Sequence, residues 1–194
     1  RQFNWELFSS DVSMFLRMLD NINDITGAPL PQYAWAVKNL RQIGMGINGL
    51  GSCMDMMGTN YGPDSGKEFI EKLSSLKEEI CWKASALLAQ EKGAFPAYNE
   101  KFLETNWFTN FTKISGETKD LIRKYGVRNG KVSTFPPTGN SSIICDNVSN
   151  GIEPVFEPEY MRTYIIEDWP NGLNRDNVKT VLSPVKQGNA TVWR

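Results

Sequence analysis

The stretch STFPPTGNSSIICDNVSNGIEP, Ser133 to Pro154, is rich in glycine, proline and small hydroxyl residues but has no Lys, Arg or His. An anion held there must be bound by main-chain N–H groups and hydroxyls. Pro136 and Pro137 stiffen the approach, and Gly139 permits either a positive φ or the close approach of a ligand. Asn140, Ser141 and Ser142 are residue types that favour helix N-caps. A helix starting near Ser141 points its first, unpaired N–H groups outward at the positive end of its dipole. That makes a phosphate site needing no cation, to which the Thr138 and Ser141 hydroxyls are expected to add donors. Pro-Thr-Gly-Asn is equally a tight turn leading into a capped helix, and these residues alone leave both readings open.

Other reactive residue types give weaker signals. Cys53, Cys81 and Cys145 are odd in number and far apart, so neither a disulfide framework nor a metal knuckle is read from them. Free thiols in a reducing, cytoplasmic setting are expected. Cys53 has Asp55 two residues on, yet all three cysteines read as small buried fillers of a core. With no His in the chain, acid–base catalysis and zinc sites lack their commonest residue. Asp55, Asp64, Glu78–Glu79 and Glu167–Asp168 read as solvated surface, and no metal is expected in this segment. The six Trp default to core positions.

The elements that must position the loop are mostly helical in the first half. Leu7, Val12, Phe15, Leu16, Leu19 and Ile22 fall on one side of a helix, which the prolines of TGAPLPQY end. YAWAVKNLRQIGMGINGLGSCMDMM keeps a helical period but is interrupted by Gly44, Gly46, Gly49 and Gly51, where close backbone approach is expected. A long helix follows from a capping box at Ser65 and Glu68. Its apolar stripe is Phe69, Leu73, Leu76, Ile80, Ala84, Leu87 and Leu88, and Lys92-Gly93 ends it. The second half is mixed: a short helix in ISGETKDLIRKYG, a strand at Lys131–Phe135, the loop, a β-rich run YMRTYIIEDW, a polar turn at Glu167–Asn177, and a last segment, LSPVKQGNATVWR, that is part of a strand or a free end. The expected organisation is one piece, residues 1–97 mainly helical and 98–194 mixed α/β, of α/β class.

Composition removes other classes. With 40% hydrophobic and 22% charged residues the chain reads as globular. A net charge of −1, from 21 basic and 22 acidic residues, supplies no basic face, so no direct nucleic-acid contact is expected. No apolar run reaches membrane-spanning length.

PPTGNSSIICDNVSNGIEPVF resembles the signature of the ribonucleotide reductase large (catalytic) subunit: Pro-Thr-Gly, small hydroxyl residues, then the pattern carried here by Ser149-Asn150-Gly151-Ile152-Glu153-Pro154. FLRMLDNINDITGAPLP, NLRQIGMGINGLGSCMDMMG, ASALLAQEKGAFPAYN and LIRKYGVRNGKVSTFPPTG are similar, in order, to further stretches of that family. Together they cover most of residues 7 to 165. The resemblance implies a helix-rich, incomplete segment of the ten-stranded α/β barrel that reduces the ribose 2′-hydroxyl through a thiyl radical. It implies that Pro137, Thr138, Gly139, Asn140 and Ser141 hold the substrate's phosphates, and that Glu153 serves the structure of the following turn.

The family's radical cysteine lies in an Asn-x-Cys-x-Glu loop, absent here, so no catalytic residue is assigned. The chain is expected to be a fragment or split half, inactive alone, whose partners are a ribonucleotide and an N-terminal remainder carrying the radical cysteine. Thioredoxin or glutaredoxin as reductant, and a homodimer of the full subunit, are also implied. GIEPVFEPEYMRT looks closest to the adenosylcobalamin-dependent class II; class I, with its radical-generating metal subunit, stays open. The alternative is a non-catalytic module that uses the loop only for nucleotide-phosphate binding or assembly.

Overall fold

A computed structural model describes residues 2–62 and 65–155 and, as backbone, 162–165, 178–181, 184–187 and 190–193. Six α-helices and two antiparallel strand pairs are found among the described residues. The chain forms two compact units, one of residues 2–46 and 62–135, the other of 47–61 and the described residues from 136 onward.

In the larger unit, α1 (Trp5–Ile25) begins where the Asn4 side chain accepts the Leu7 N–H at 3.0 Å. Pro31 opens α2 (Pro31–Leu40), where a missing N–H costs nothing. The long α4 (Ser65–Lys92) and α5 (Gly116–Tyr125) complete the unit. Helices α1 and α5 both pack on α4. They bury Val12, Leu16, Cys81, Trp82, Ala86, Leu88, Phe108, Ile122, Val127 and Val132. Each large apolar side chain among these contributes about 1.5–3 kcal/mol before entropy is counted.

The buried face of α4 differs from the expected stripe. Leu87 is 43% exposed, whereas Lys77 is 1% exposed. The Lys77 ammonium donates to Ser133 Oγ at 2.7 Å and to the Thr134 carbonyl at 3.0 Å, and sits 4.2 Å over the Phe135 ring. Burial pulls its pKa below the ordinary lysine value. The Ser65 side chain, and with it the expected capping box, lies outside the described residues, as do Asp64, Glu167–Asp168 and the turn at 167–177. Glu79, read as solvated surface, instead caps α5. Its carboxylate accepts the Ser115 N–H and hydroxyl, both at 2.7 Å, and the Thr118 hydroxyl at 2.6 Å. Burial tends to raise this carboxyl, but those bonds hold it below the usual range. Trp82 is buried, but Trp35 is 57% exposed, so core burial does not hold for every Trp.

The single interrupted helix expected from Tyr33 to Met57 is corrected. After α2, Arg41 turns left-handed at φ 45°. The main chain then pairs in parallel with 131–134: Ile43 N–H to Lys131 O at 3.0 Å, Met45 N–H to Val132 O at 2.9 Å, Thr134 N–H to Met45 O at 3.1 Å. Those tertiary bonds outweigh a weak local helix preference. The strand expected at 131–135 is realised as one bridge at Ser133.

Buried Asp20 fixes this arrangement. Its Oδ1 accepts from Arg41 at 2.7 and 3.1 Å and from Asn129 Nδ2 at 2.9 Å, with Arg128 and Lys92 at 3.4 and 3.5 Å from Oδ2. Burial alone would raise the Asp20 carboxyl; the bonds from Arg41 and Asn129 and the charges of Arg41 and Arg128 hold it below the ordinary aspartate value.

In the smaller unit, α3 (Leu50–Met57) lies between the left-handed Gly49 and Gly58, and α6 spans Gly139–Ile144. Strands β1 (Arg162–Ile165) and β2 (Val178–Val181) pair antiparallel, as do β3 (Pro184–Gln187) and β4 (Ala190–Trp193).

Candidate functional site

Residues 136–154 of the loop read from sequence lie in the smaller unit, and their frame is a set of short polar ties. Gly49 and Leu50 N–H groups donate to the carbonyls of Ser149 and Gly151 at 2.9 and 3.2 Å. Ser52 and Ser149 bond reciprocally, each hydroxyl accepting the other's N–H at 2.9 and 3.1 Å. A Cβ on Gly51 would stand 2.7 Å from the Glu153 carbonyl oxygen and 2.8 Å from the Val155 nitrogen. The close approach expected of the glycine-rich segment is therefore real at this position. The Tyr61 hydroxyl donates to the Ile152 carbonyl and secures the same turn.

Within this frame Pro137 is exposed, Thr138 half-buried, and Gly139, Asn140 and Ser141 exposed. Helix α6 starts at Gly139 with Thr138 as its N-cap, two residues earlier than expected, so Asn140, Ser141 and Ser142 lie inside it rather than capping it. Its first intrahelical bond runs from the Ser142 N–H to the Thr138 carbonyl at 2.7 Å. The N–H groups of Gly139, Asn140 and Ser141 precede that bond and have no partner among the described residues. Gly139 is not in the left-handed region, so the positive φ allowed for it is not used. Its value is space: a Cβ there meets nothing within 4 Å.

One expected donor is corrected. The Thr138 hydroxyl donates to Asn48 Oδ1 at 2.5 Å and accepts the Gly151 N–H at 2.7 Å. Its single proton is committed to Asn48 and is not free for an anion. The buried Ser142 hydroxyl is likewise engaged, between the Gly139 carbonyl at 2.8 Å and Asn150 Oδ1 at 2.7 Å. The uncommitted set among the described residues is thus three amides and the Ser141 hydroxyl. Asn48 as a loop support is signalled only by the glycine density around it, and Asn150 and Gly151 stand in the signature pattern without an assigned role.

The thiols separate. Cys81 is fully buried, and burial pushes its pKa up to about 11. Cys53 is half-buried, with its thiol also pushed up by burial. Cys145 is exposed, which corrects the expectation of a core filler; α6 is too short to bury its last turn. Among the described residues no cluster of metal-ligating side chains occurs, and no helix is long and apolar enough to cross a membrane. A cavity of about 580 Å³ lies in the larger unit, edged by Trp82, Trp107, Phe135, Glu78 and Lys131, and none of residues 137–141 lines it. We place the candidate site by the free amides, because a cavity's size carries no chemistry of its own.

The chain as a whole is similar to known proteins of one family. The family described as ribonucleotide reductase, barrel domain, matches residues 1–181. A vitamin B12-dependent ribonucleoside-diphosphate reductase of Mycobacterium tuberculosis (strain CDC 1551 / Oshkosh) is 27% identical over 84% of this chain and 21% of its own length. One from Thermoplasma acidophilum is 30% identical over 75% of this chain and 17% of its own. A ribonucleoside-diphosphate reductase subunit alpha of Chlamydia pneumoniae is 25% identical over 81% and 17%. The chain spans about a fifth of the length of these relatives. Because the match runs through nearly all of it, the chain belongs to the ribonucleotide reductase barrel-domain family.

Proposed function

We propose that this chain contributes the substrate-phosphate loop of a ribonucleotide reductase catalytic subunit. The observation that carries the reading is the group of three unpaired N–H groups on the exposed residues Gly139–Ser141, beside the open space at Gly139. Such donors hold phosphate without a cation. In this reading Pro137 stiffens the entry, the Gly139, Asn140 and Ser141 amides and the Ser141 hydroxyl bind the anion, and Thr138 shapes the loop. The relatives' names point to a ribonucleoside diphosphate as substrate.

The parallel pairing of 43–45 with 131–134 supports a place in the family's ten-stranded α/β barrel. Apolar residues left open on α1, among them Leu7, Met14, Met18 and Ile25, support association with further parts of a catalytic subunit. The radical cysteine belongs to such a part, and the reduction of ribonucleotides to DNA precursors by a thiyl radical requires it. A thioredoxin or glutaredoxin reductant, a homodimeric full subunit and a cytoplasmic location follow from the same family reading.

Relatives named for vitamin B12 favour the adenosylcobalamin-dependent class, in which that cofactor initiates the radical. The residues here do not fit it. The cavity is edged by charged Glu71, Glu78, Lys113 and Lys131, a poor match for a large, largely apolar corrin face. We therefore assign the cofactor elsewhere and derive no step through it.

The test is Gly139→Val in the intact catalytic subunit containing this segment. Space at Gly139 and its ordinary φ let the fold accept valine, whose methyls then occupy the ligand's place. A KM for ribonucleotide raised tenfold or more with an unchanged melting temperature supports the loop assignment; an unchanged KM refutes it.

A further inference from the structure

We infer that Asn48 is a positioning residue of the phosphate loop, acting through the Thr138 hydroxyl and the Gly151 amide; this deepens the phosphate-loop reading and rests on it. The argument starts from an obligate donor. The Gly151 N–H faces two acceptors, Thr138 Oγ1 at 2.7 Å and Asn48 Oδ1 at 3.2 Å. Were the Asn48 amide turned over, its NH2 would oppose that N–H, donor against donor, so the oxygen must face Gly151. The Thr138 hydroxyl accepts from Gly151 and has one proton left to give, which goes to Asn48 Oδ1 at 2.5 Å. The three groups form a closed triangle.

Each corner is fixed by more than the triangle. Gly151 is left-handed at φ 48°, and a Cβ on it would stand 2.7 Å from the Pro136 carbonyl oxygen. Thr138 is the N-cap of α6, and its carbonyl accepts the first helical bond from Ser142. Asn48 precedes the left-handed Gly49, from which α3 begins. One side chain thus fastens the chain before α6 and the turn after it to the same point, and so sets where the Gly139–Ser141 amides face.

The other half of the Asn48 amide identifies what selects the residue. Its Nδ2 is buried with no hydrogen-bond partner among the described residues. An unmade buried donor is a cost that leucine of similar size would not carry. Asparagine is therefore held for its acceptor oxygen.

The experiment uses the intact catalytic subunit and compares binding of a ribonucleoside diphosphate with that of the matching unphosphorylated nucleoside. The variants are Asn48→Leu, Asn48→Asp, Thr138→Val, the Asn48→Leu/Thr138→Val pair, and Gly139→Val as a control on the loop itself. Asn48→Leu is expected to weaken diphosphate binding about tenfold, the scale of one lost buried bond, and to leave the nucleoside unchanged. Asn48→Asp keeps the acceptor and should regain most of that loss at high salt, where its added charge is screened. The double variant should lose little more than either single one, because both cut the same tie.

If Gly139→Val weakens diphosphate binding while Asn48→Leu does not, the Asn48 inference fails and the loop reading stands. Equal losses for both ligands, or no recovery in Asn48→Asp, also overturn it, since they report a general structural role. If Gly139→Val has no effect, the phosphate-loop reading fails and takes this inference with it. Should Asn48→Leu not fold, Thr138→Val against Thr138→Ser decides, with loss expected only in the valine variant and equal affinity overturning the inference.

Discussion

Replacing Asp20 with asparagine removes one charge from a fully buried hub. Asp20 has no solvent exposure, and the side chain of Arg41, its closest partner, keeps 7%. The substitution leaves the Arg41 guanidinium with one charged partner, Asp24, which is 46% exposed, and places a second amide against Asn129. Removing one member of a buried ion pair costs about 3–5 kcal/mol, because the remaining charge stays desolvated. Against a total stability of roughly 5–15 kcal/mol, that is a large fraction. For a chain of this size it lowers the melting temperature by roughly 6–20 °C. Asp24→Asn, at a half-exposed position, should cost about 1 kcal/mol or less.

Urea unfolding of both variants and the parent, followed by circular dichroism, measures the difference. The sign of the pH dependence follows from the lowered Asp20 pKa. Its stabilisation is present above the ordinary aspartate pKa and is lost as pH falls through the folded value, so Asp20→Asn should flatten the acid limb of the stability curve. An Asp20→Asn variant within about 1 kcal/mol of the parent, or one equal to Asp24→Asn, refutes the assignment of Asp20 as the hub.

Two further outcomes are expected. Alkylation with iodoacetamide, read by mass spectrometry, should label exposed Cys145 first and Cys53 more slowly, and should reach Cys81 only on unfolding, because its pKa of about 11 leaves almost no thiolate at neutral pH; early labelling of Cys81 contradicts its burial. Gly51→Ala forces a methyl against two main-chain atoms, 2.7 and 2.8 Å away, and should cost about 1–3 kcal/mol in urea unfolding; Gly139→Ala, which meets nothing, should leave stability within about 1 kcal/mol.

Sequence and fold agree where local chemistry decides the outcome. The helix read in ISGETKDLIRKYG forms as α5, and α4 ends at Lys92 and follows its apolar period apart from the buried Lys77 and the exposed Leu87. Disagreement concentrates where distant partners decide. Residues 42–46 have helical spacing but give it up for main-chain bonds to 131–134. Glu79 looks like surface until α5 needs a cap. The loop's residue types carry the anion-site proposal, yet the commitment of the Thr138 proton depends on Asn48, ninety residues earlier in the chain. No local pattern announces such a bond, since both partners are ordinary turn residues.

The central claim is that main-chain N–H groups at the start of α6 hold a nucleotide's phosphate. A crystal structure of the intact catalytic subunit with a ribonucleoside diphosphate tests it most directly. The account predicts phosphate oxygens about 2.7–3.2 Å from the nitrogens of Gly139, Asn140 and Ser141, with the Thr138 hydroxyl still bonded to Asn48. Phosphates bound elsewhere, with those three amides facing solvent, contradict it.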